Sequence, residues 1–363
     1  MSETSAETHV GSCCDRWLAD FRSALRAHAS GTDKEKERRL KLALMQVQPF
    51  SGFTERDRQV VDERNKEYRA NVNMNELYDQ PDRRNNGLFR RLVLGATTLF
   101  AHALLKYANT LTVYGLEKLH THVLDREGGT GLVSVMNHRS ILDDPFLISA
   151  MLPLRLLVQQ PEKVRWGLCA SDICFRGGYL KRKFCTLGKV LPVVRFGGLQ
   201  QPELDQLAAL IQRGEWVHVY PEGRVVQMPR IERMRRGIGK VITRSYFLSG
   251  KAPVVLPIYQ DGMERVMPQD PITNKCVSMV PSTGHEIFVL VGDPIHMQDL
   301  LDEHCACLNQ QSISCDAPEC VALYDAICAR IGLALRLLRY QLRLKVQHNL
   351  NGRSPYGDPY EVS

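Results

Sequence analysis

Aromatic residues are scarce in this chain, at 7% of 363 positions. Neither a zinc-finger spacing nor an aromatic RNA-binding signature accompanies its net charge of +7. A basic chain seeks anionic partners, and these absences favour phospholipid headgroups over nucleic acid. No apolar run reaches the roughly 20 residues that a membrane-crossing helix needs. The nearest approach, residues 92–105, is fourteen residues without Asp, Glu, Lys or Arg. Residues 1–11 lack the basic start and apolar core of a secretory signal, and Glu3 and Glu7 argue against a mitochondrial presequence. The cysteines number 11, an odd count, so they cannot all pair within one chain. Their spacing is not that of a small secreted disulfide framework, which predicts mostly free thiols in a reducing compartment. His304, Cys305, Cys307, Cys315 and Cys320 follow no recognised zinc pattern and read as a surface loop, so no metal is expected.

What is present falls into four stretches. Residues 1–87 form an N-terminal extension, helical or mobile in part. It carries a basic amphipathic pattern over 16–26, a dense charge run over 31–39 and a polar linker over 71–86. Residues 88–111 form an apolar helix flanked by Arg90, Arg91 and Lys106. It is either a buried core helix or one lying in a single membrane leaflet, with Leu92, Leu99, Phe100, Leu104, Arg90 and Arg91 as its membrane contacts. Residues 112–350 alternate apolar, β-branched runs (131–136, 190–194, 216–220, 254–258, 287–291) with helical ones (203–211, 237–247, 322–347). That alternation predicts an α/β domain, a mixed β-sheet flanked by helices. A tail, 351–363, closes the chain.

The central stretch is Asn137-His138-Arg139-Ser140-Ile141-Leu142-Asp143-Asp144-Pro145, directly after the 131–136 strand. Asp144 before Pro145 predicts an N-cap and a helix start. His138 and Asp143 would point about 140° apart on one continuous helix, whereas a loop that turns back brings them together. Such a pair either caps the helix or lets the carboxylate hold one imidazole nitrogen while the other takes a proton from a hydroxyl.

Three later stretches bear on that choice. The 190–194 strand ends in Arg195 followed by Phe196-Gly197-Gly198; this arginine either makes a surface salt bridge or reaches an anionic oxygen. The 216–220 strand stops at Pro221-Glu222-Gly223, leaving Glu222 to meet a substrate hydroxyl, hold an arginine or serve as an ordinary loop residue. Arg233-Met234-Arg235-Arg236 precedes Leu256-Pro257-Ile258, as a solvated face or a headgroup clamp.

His-x4-Asp, a strand ending in Arg, Pro-Glu-Gly and Leu-Pro-Ile, in that order, resemble the motifs of the glycerolipid acyltransferase family. The stretches 166–175, 187–195, 216–223, Gly237-Ile238-Gly239 and Gly262-Met263 resemble its tafazzin branch, over roughly 90–350. Tyr220, where that family usually has Phe, and the cysteines of 305–320 depart from it. The resemblance implies a phospholipid–lysophospholipid transacylase that remodels cardiolipin without a cofactor. His138 would be its general base and Asp143 its orienting carboxylate, with Asn137, Ser140, Arg195, Glu222 and Gly223 at the substrate. Backbone N–H groups at the helix start would meet the oxyanion. It further implies cardiolipin and phosphatidylcholine as substrates and monotopic attachment to a mitochondrial membrane, inner or outer, on the intermembrane-space side. An acyl-CoA-dependent lysophospholipid or glycerol-phosphate acyltransferase, and a non-catalytic binder of anionic lipid, remain as alternatives.

Overall fold

A computed structural model describes residues 59–63, 65–66, 86–176, 178–270, 275–307 and 318–349. The expectations for 16–26, 31–39, 71–85 and 351–363 lie outside the described residues, as do those for 308–317. Seven strands are seen among the described residues: β1 (Thr110–Tyr114), β2 (Leu132–Met136), β3 (Gly167–Ala170), β4 (Val190–Val193), β5 (Trp216–Val219), β6 (Val254–Asp261) and β7 (Glu286–Val291). Five of them form one sheet in the order β1-β7-β6-β2-β5. β2 lies between β6 and β5 and is parallel to both, β7 runs antiparallel to β6, and β1 is parallel to β7. A single bridge from Trp166 to Val217 sets the parallel β3–β4 pair beside β5. The mixed sheet expected from the sequence is therefore present, with β1 and β3 added; both are short and only partly buried, so their apolar signal is weak.

All five residues of β2 are buried, as a strand covered on both faces must be. Its alternation splits the core in two. Val133 and Val135 face a cluster built with α4 (Pro202–Gln212), α5 (Arg236–Ser249), α6 (Gln298–Cys307) and α7 (Pro318–Asn349). Leu132 and Met136 face the other, built with α1 (Asn86–His102) and α2 (Leu116–Leu124). Each Val or Leu so buried contributes roughly 1.5–3 kcal/mol relative to exposure. The seventh of the longer helices, α3 (Tyr179–Leu187), lies between β3 and β4 in the chain and packs against α1.

α1 continues through one wider turn to Tyr107, and residues 110–111 already belong to β1. Leu94, Ala101, Leu104 and Leu105 share its inward stripe at helical spacing, while Leu92, Leu99, Phe100 and Arg91 face outward. Two of the expected membrane contacts are thereby corrected. Leu104 is 8% exposed, and Arg90, four residues before Leu94 on the same stripe, is 7% exposed with its guanidinium over the Trp166 ring.

The Gly237-Ile238-Gly239 motif opens α5 where it crosses α7. A Cβ at Gly239 would sit 2.7 Å from Tyr324 Cα, whereas one at Gly237 meets nothing closer than 3.9 Å. Gly239→Ala is expected to destabilise the protein by about 1–3 kcal/mol through overpacking. Urea unfolding measures this, with Gly237→Ala as the near-neutral control; equal midpoints for the two variants would contradict the close helix crossing.

Among the cysteines, Cys185, Cys276, Cys320 and Cys328 are free thiols, but Cys169 and Cys174 are joined. The turn after β3 brings their Cα atoms to 6.0 Å, within the span a disulfide bridges. Cys320 is buried in α7 rather than on a surface loop.

Candidate active site

The carboxyl ends of β2, β5 and β6 lie side by side, because the three strands are parallel neighbours. Chains leaving such strand ends converge on one edge of the sheet. His138 leaves β2, Glu222 leaves β5, and Asp261, Gly262 and Glu264 leave β6.

After Met136 the chain turns back, and His138 Nδ1 lies 2.9 Å from Asp143 Oδ2. The same oxygen accepts the backbone N–H of Arg139 at 2.7 Å and of Ser140 at 2.9 Å. An imidazole in this position donates its Nδ1–H, leaving Nε2 as the basic nitrogen. The imidazole is 20% exposed, while Asp143 is fully buried. Burial raises the Asp143 pKa, against the opposing pull of its hydrogen bonds to His138, Ser140 and Arg139. A carboxylate that is costly to ionise alone gains most from an adjacent imidazolium, so the pair is built to stabilise positive charge on His138. Tyr220 stacks on the imidazole with centroids 4.1 Å apart and planes 22° from parallel.

The capping expectation is corrected here. Asp144 makes no side-chain cap to the turn Asp143–Leu147; its carboxylate pairs with Arg165, which leaves the start of β3. Of the amides around the helix start, that of Asp143 goes to Ser140 O at 3.1 Å. The N–H groups of Arg139 and Ser140 are held by Asp143, and that of Leu142 goes to Ser140 Oγ at 3.2 Å.

Most residues expected at the substrate brace this loop instead. Asn137 is buried; its side chain donates to Gln260 O at 2.9 Å and accepts from Gln260 N at 2.8 Å, tying β2 to β6. Ser140 is buried and orders the turn. Glu222 is buried as well, with Oε2 accepting the N–H of His138 at 3.0 Å and Oε1 that of Glu232 at 2.9 Å. Burial pushes the Glu222 carboxyl up to about 7, against the opposing pull of those two amides. Gly223 makes the turn that follows, at φ 71°, a left-handed conformation that suits glycine. Arg195, 21% exposed, pairs with the buried Asp172, so the ends of β4 and β3 are clamped together.

Three further features were not legible in the sequence. Arg139 is buried and bonds Asp261 at 2.8 Å and Glu264 at 3.1 Å, fixing the loop to the end of β6. His218 is buried in β5 with Nδ1 2.7 Å from Ser134 Oγ, which also accepts Trp216 Nε1. Burial lowers its pKa to about 3, which keeps it neutral and unsuited to act as a base near neutral pH. Phe196 holds φ 65°, a strained conformation for a residue with a side chain, beside Arg195. Tyr220, which stacks on His138, was singled out in the sequence only as a departure from the family pattern.

Known proteins resemble this chain over the part that carries the site. The Acyltransferase family model matches residues 110–260. The N-acylphosphatidylethanolamine synthase of Arabidopsis thaliana is 34% identical over 63% of this chain and 78% of its own length. The tafazzin of Dictyostelium discoideum is 34% identical over 54% of this chain and 66% of its own. That of Drosophila melanogaster is 33% identical over 58% and 52%. This chain thus spans between half and two thirds of those two tafazzins. The matched segment contains the His138–Asp143 pair, the Arg195 strand end and the Glu222 turn, and the chain, similar to these tafazzins over part of their length, belongs to the glycerolipid acyltransferase family as a phospholipid acyltransferase.

Proposed function

We propose that the protein is a phospholipid–lysophospholipid transacylase that remodels cardiolipin, with His138 as general base and Asp143 as its orienting partner. The observation that carries this reading is the 2.9 Å contact of His138 Nδ1 with the buried Asp143, which leaves Nε2 for the acceptor. Nε2 removes the proton from the free glycerol hydroxyl of a lysophospholipid as its oxygen attacks the acyl ester carbonyl of a donor phospholipid. The imidazolium is stabilised by Asp143. The tetrahedral intermediate then expels the donor's glycerol oxygen, which takes the proton from Nε2. One ester bond forms and one breaks, and His138 ends neutral, so neither CoA nor a metal is required.

The membrane supplies both substrates. The outward face of α1 would lie in one leaflet of a mitochondrial membrane on the intermembrane-space side. Contrary to the expectation that this run is too short, the helical segment Gly87–Tyr107, 21 residues, is long and apolar enough to cross a bilayer, yet 44% of its apolar window is buried against the protein. That degree of burial favours a helix lying on the domain at the interface over one enclosed by lipid. Arg195, 21% exposed at the end of β4 and held by Asp172, would orient a headgroup phosphate.

The similarity to a protein named N-acylphosphatidylethanolamine synthase favours a second reading, in which the acceptor is the amine of an ethanolamine headgroup. One experiment separates the readings. Purified protein is given a phospholipid with a labelled acyl chain and either lysocardiolipin or phosphatidylethanolamine as acceptor, with CoA absent. Label in cardiolipin is the expected result. Label as an amide on ethanolamine supports the second reading, and transfer only after acyl-CoA is added contradicts both as written.

A further inference from the structure

We propose that α3 and the strand ends beside it form a second membrane-contacting surface, specific for an anionic phospholipid bilayer. The inference rests on the membrane-bound reading above and extends it to an element outside α1. From Ile173 to Pro202 there are thirty residues with no Asp or Glu and six Lys or Arg, of which Lys189 is buried and Arg195 pairs with Asp172, leaving Arg176, Lys181, Arg182 and Lys183 on or beside α3. α3 has no buried residue. Leu180, 82% exposed, and Phe184 lie four positions apart on one face, with Tyr179 beside them. Lys181, Arg182 and Lys183 are consecutive and lie between Leu180 and Phe184 in the chain. A soluble protein exposes single apolar residues freely, but a contiguous apolar patch rimmed by charge marks an interaction surface.

Continuity with α1 identifies the occupant. α3 packs against α1, whose Leu88, Leu92 and Leu99 form an exposed stripe at helical spacing. Phe100 of that helix touches Phe146, three residues beyond Asp143, with ring centroids 5.1 Å apart. Within the His138–Asp143 loop itself Ile141 is 43% exposed, and Ile173 and Phe196 project beside the Asp172–Arg195 pair. Exposed apolar side chains therefore occur on α1, on α3 and around the catalytic loop, with lysines and arginines but no carboxylates along the α3 stretch. Apolar side chains with basic ones at the rim match acyl chains below and anionic headgroups above. A protein partner of ordinary mixed surface charge would not call for thirty residues free of acid.

The test uses the full chain and vesicles of phosphatidylcholine with or without one fifth anionic phospholipid, read by flotation at low and high salt. Leu180→Asn with Phe184→Asn is expected to weaken binding to anionic vesicles at least about tenfold. Lys181→Gln with Lys183→Gln should weaken it about thirtyfold at low salt, near fivefold per lysine, and hardly change binding to neutral vesicles. Thermal melts check that both variants are folded. Acyl transfer on detergent-dispersed lipid should stay within about twofold of the parent, because neither pair touches His138 or Asp143. Wild-type vesicle affinity in both variants overturns the proposal, as does a loss that is equal on neutral and anionic vesicles for the lysine pair. A change in oligomeric state with vesicle binding intact also overturns it, by making this face a contact between copies. Should the protein transfer no acyl group at all, vesicle binding still reads the surface, so failure of the activity and failure of this inference remain distinguishable.

Discussion

Replacing His138 with alanine is expected to lower acyl transfer by about 10²–10⁴ at unchanged fold, the loss typical of a general base. No neighbour can substitute. His218, which packs against the same Tyr220 ring, is buried against Ser134 with its pKa lowered to about 3. The Glu222 oxygens are both engaged by backbone amides. The fold should survive because Asp143 keeps the N–H groups of Arg139 and Ser140, and only one hydrogen bond and one ring contact are lost. Asp143→Asn is the informative companion, since an amide at that position can favour the wrong imidazole tautomer while preserving shape. Rates of labelled acyl transfer on detergent-dispersed lipid, with a melting curve for each variant, decide the matter. A folded His138→Ala protein with activity within a few-fold of the parent would remove the imidazole from the mechanism.

The second large effect belongs to Glu222 and is one of stability. Its carboxyl is pushed from an ordinary 4.5 up to about 7 by burial. Between those values the folded protein holds a proton that the unfolded chain has released. Stability is therefore full below about pH 4.5 and falls as pH rises through about 7, by on the order of 3 kcal/mol from this group. Glu222→Gln should abolish that slope. It should also cost about 1–3 kcal/mol throughout, because an amide nitrogen cannot accept the second backbone N–H. Asp143, whose pKa burial also raises, titrates in both proteins, so the difference between their urea-unfolding curves at pH 5, 6, 7 and 8 isolates Glu222. Parallel curves would show that the Glu222 carboxyl is not shifted. Since Glu222 holds the N–H of His138, the variant should lose activity as well.

Much of the architecture was legible from local pattern. The runs at 131–136, 190–194, 216–220, 254–258 and 287–291 are all strands, and 203–211, 237–247 and 322–347 lie in helices. The outward phase of Leu92, Leu99 and Phe100 was legible in the same way. β1 and β3 were missed because an edge strand and a four-residue strand carry too few apolar positions to stand out.

The sequence by itself determined the alternation of strands and helices, the turn after β2 and the pairing of residue types five positions apart. Those features are set by neighbours within a few residues, through periodicity, turn chemistry and side-chain branching. Only the tertiary structure decided what each site residue touches. Glu222 meets His138 across 84 residues and Asn137 meets Gln260 across 123, contacts that exist because β5 and β6 both pair with β2 in fixed register. In that register a polar side chain at a strand end lies beside unpaired backbone groups shut away from water. Hydrogen-bonding them is worth more than reaching outward. Asn137, Ser140 and Glu222 consequently became the frame of the site, and the exposed chemistry was left to His138.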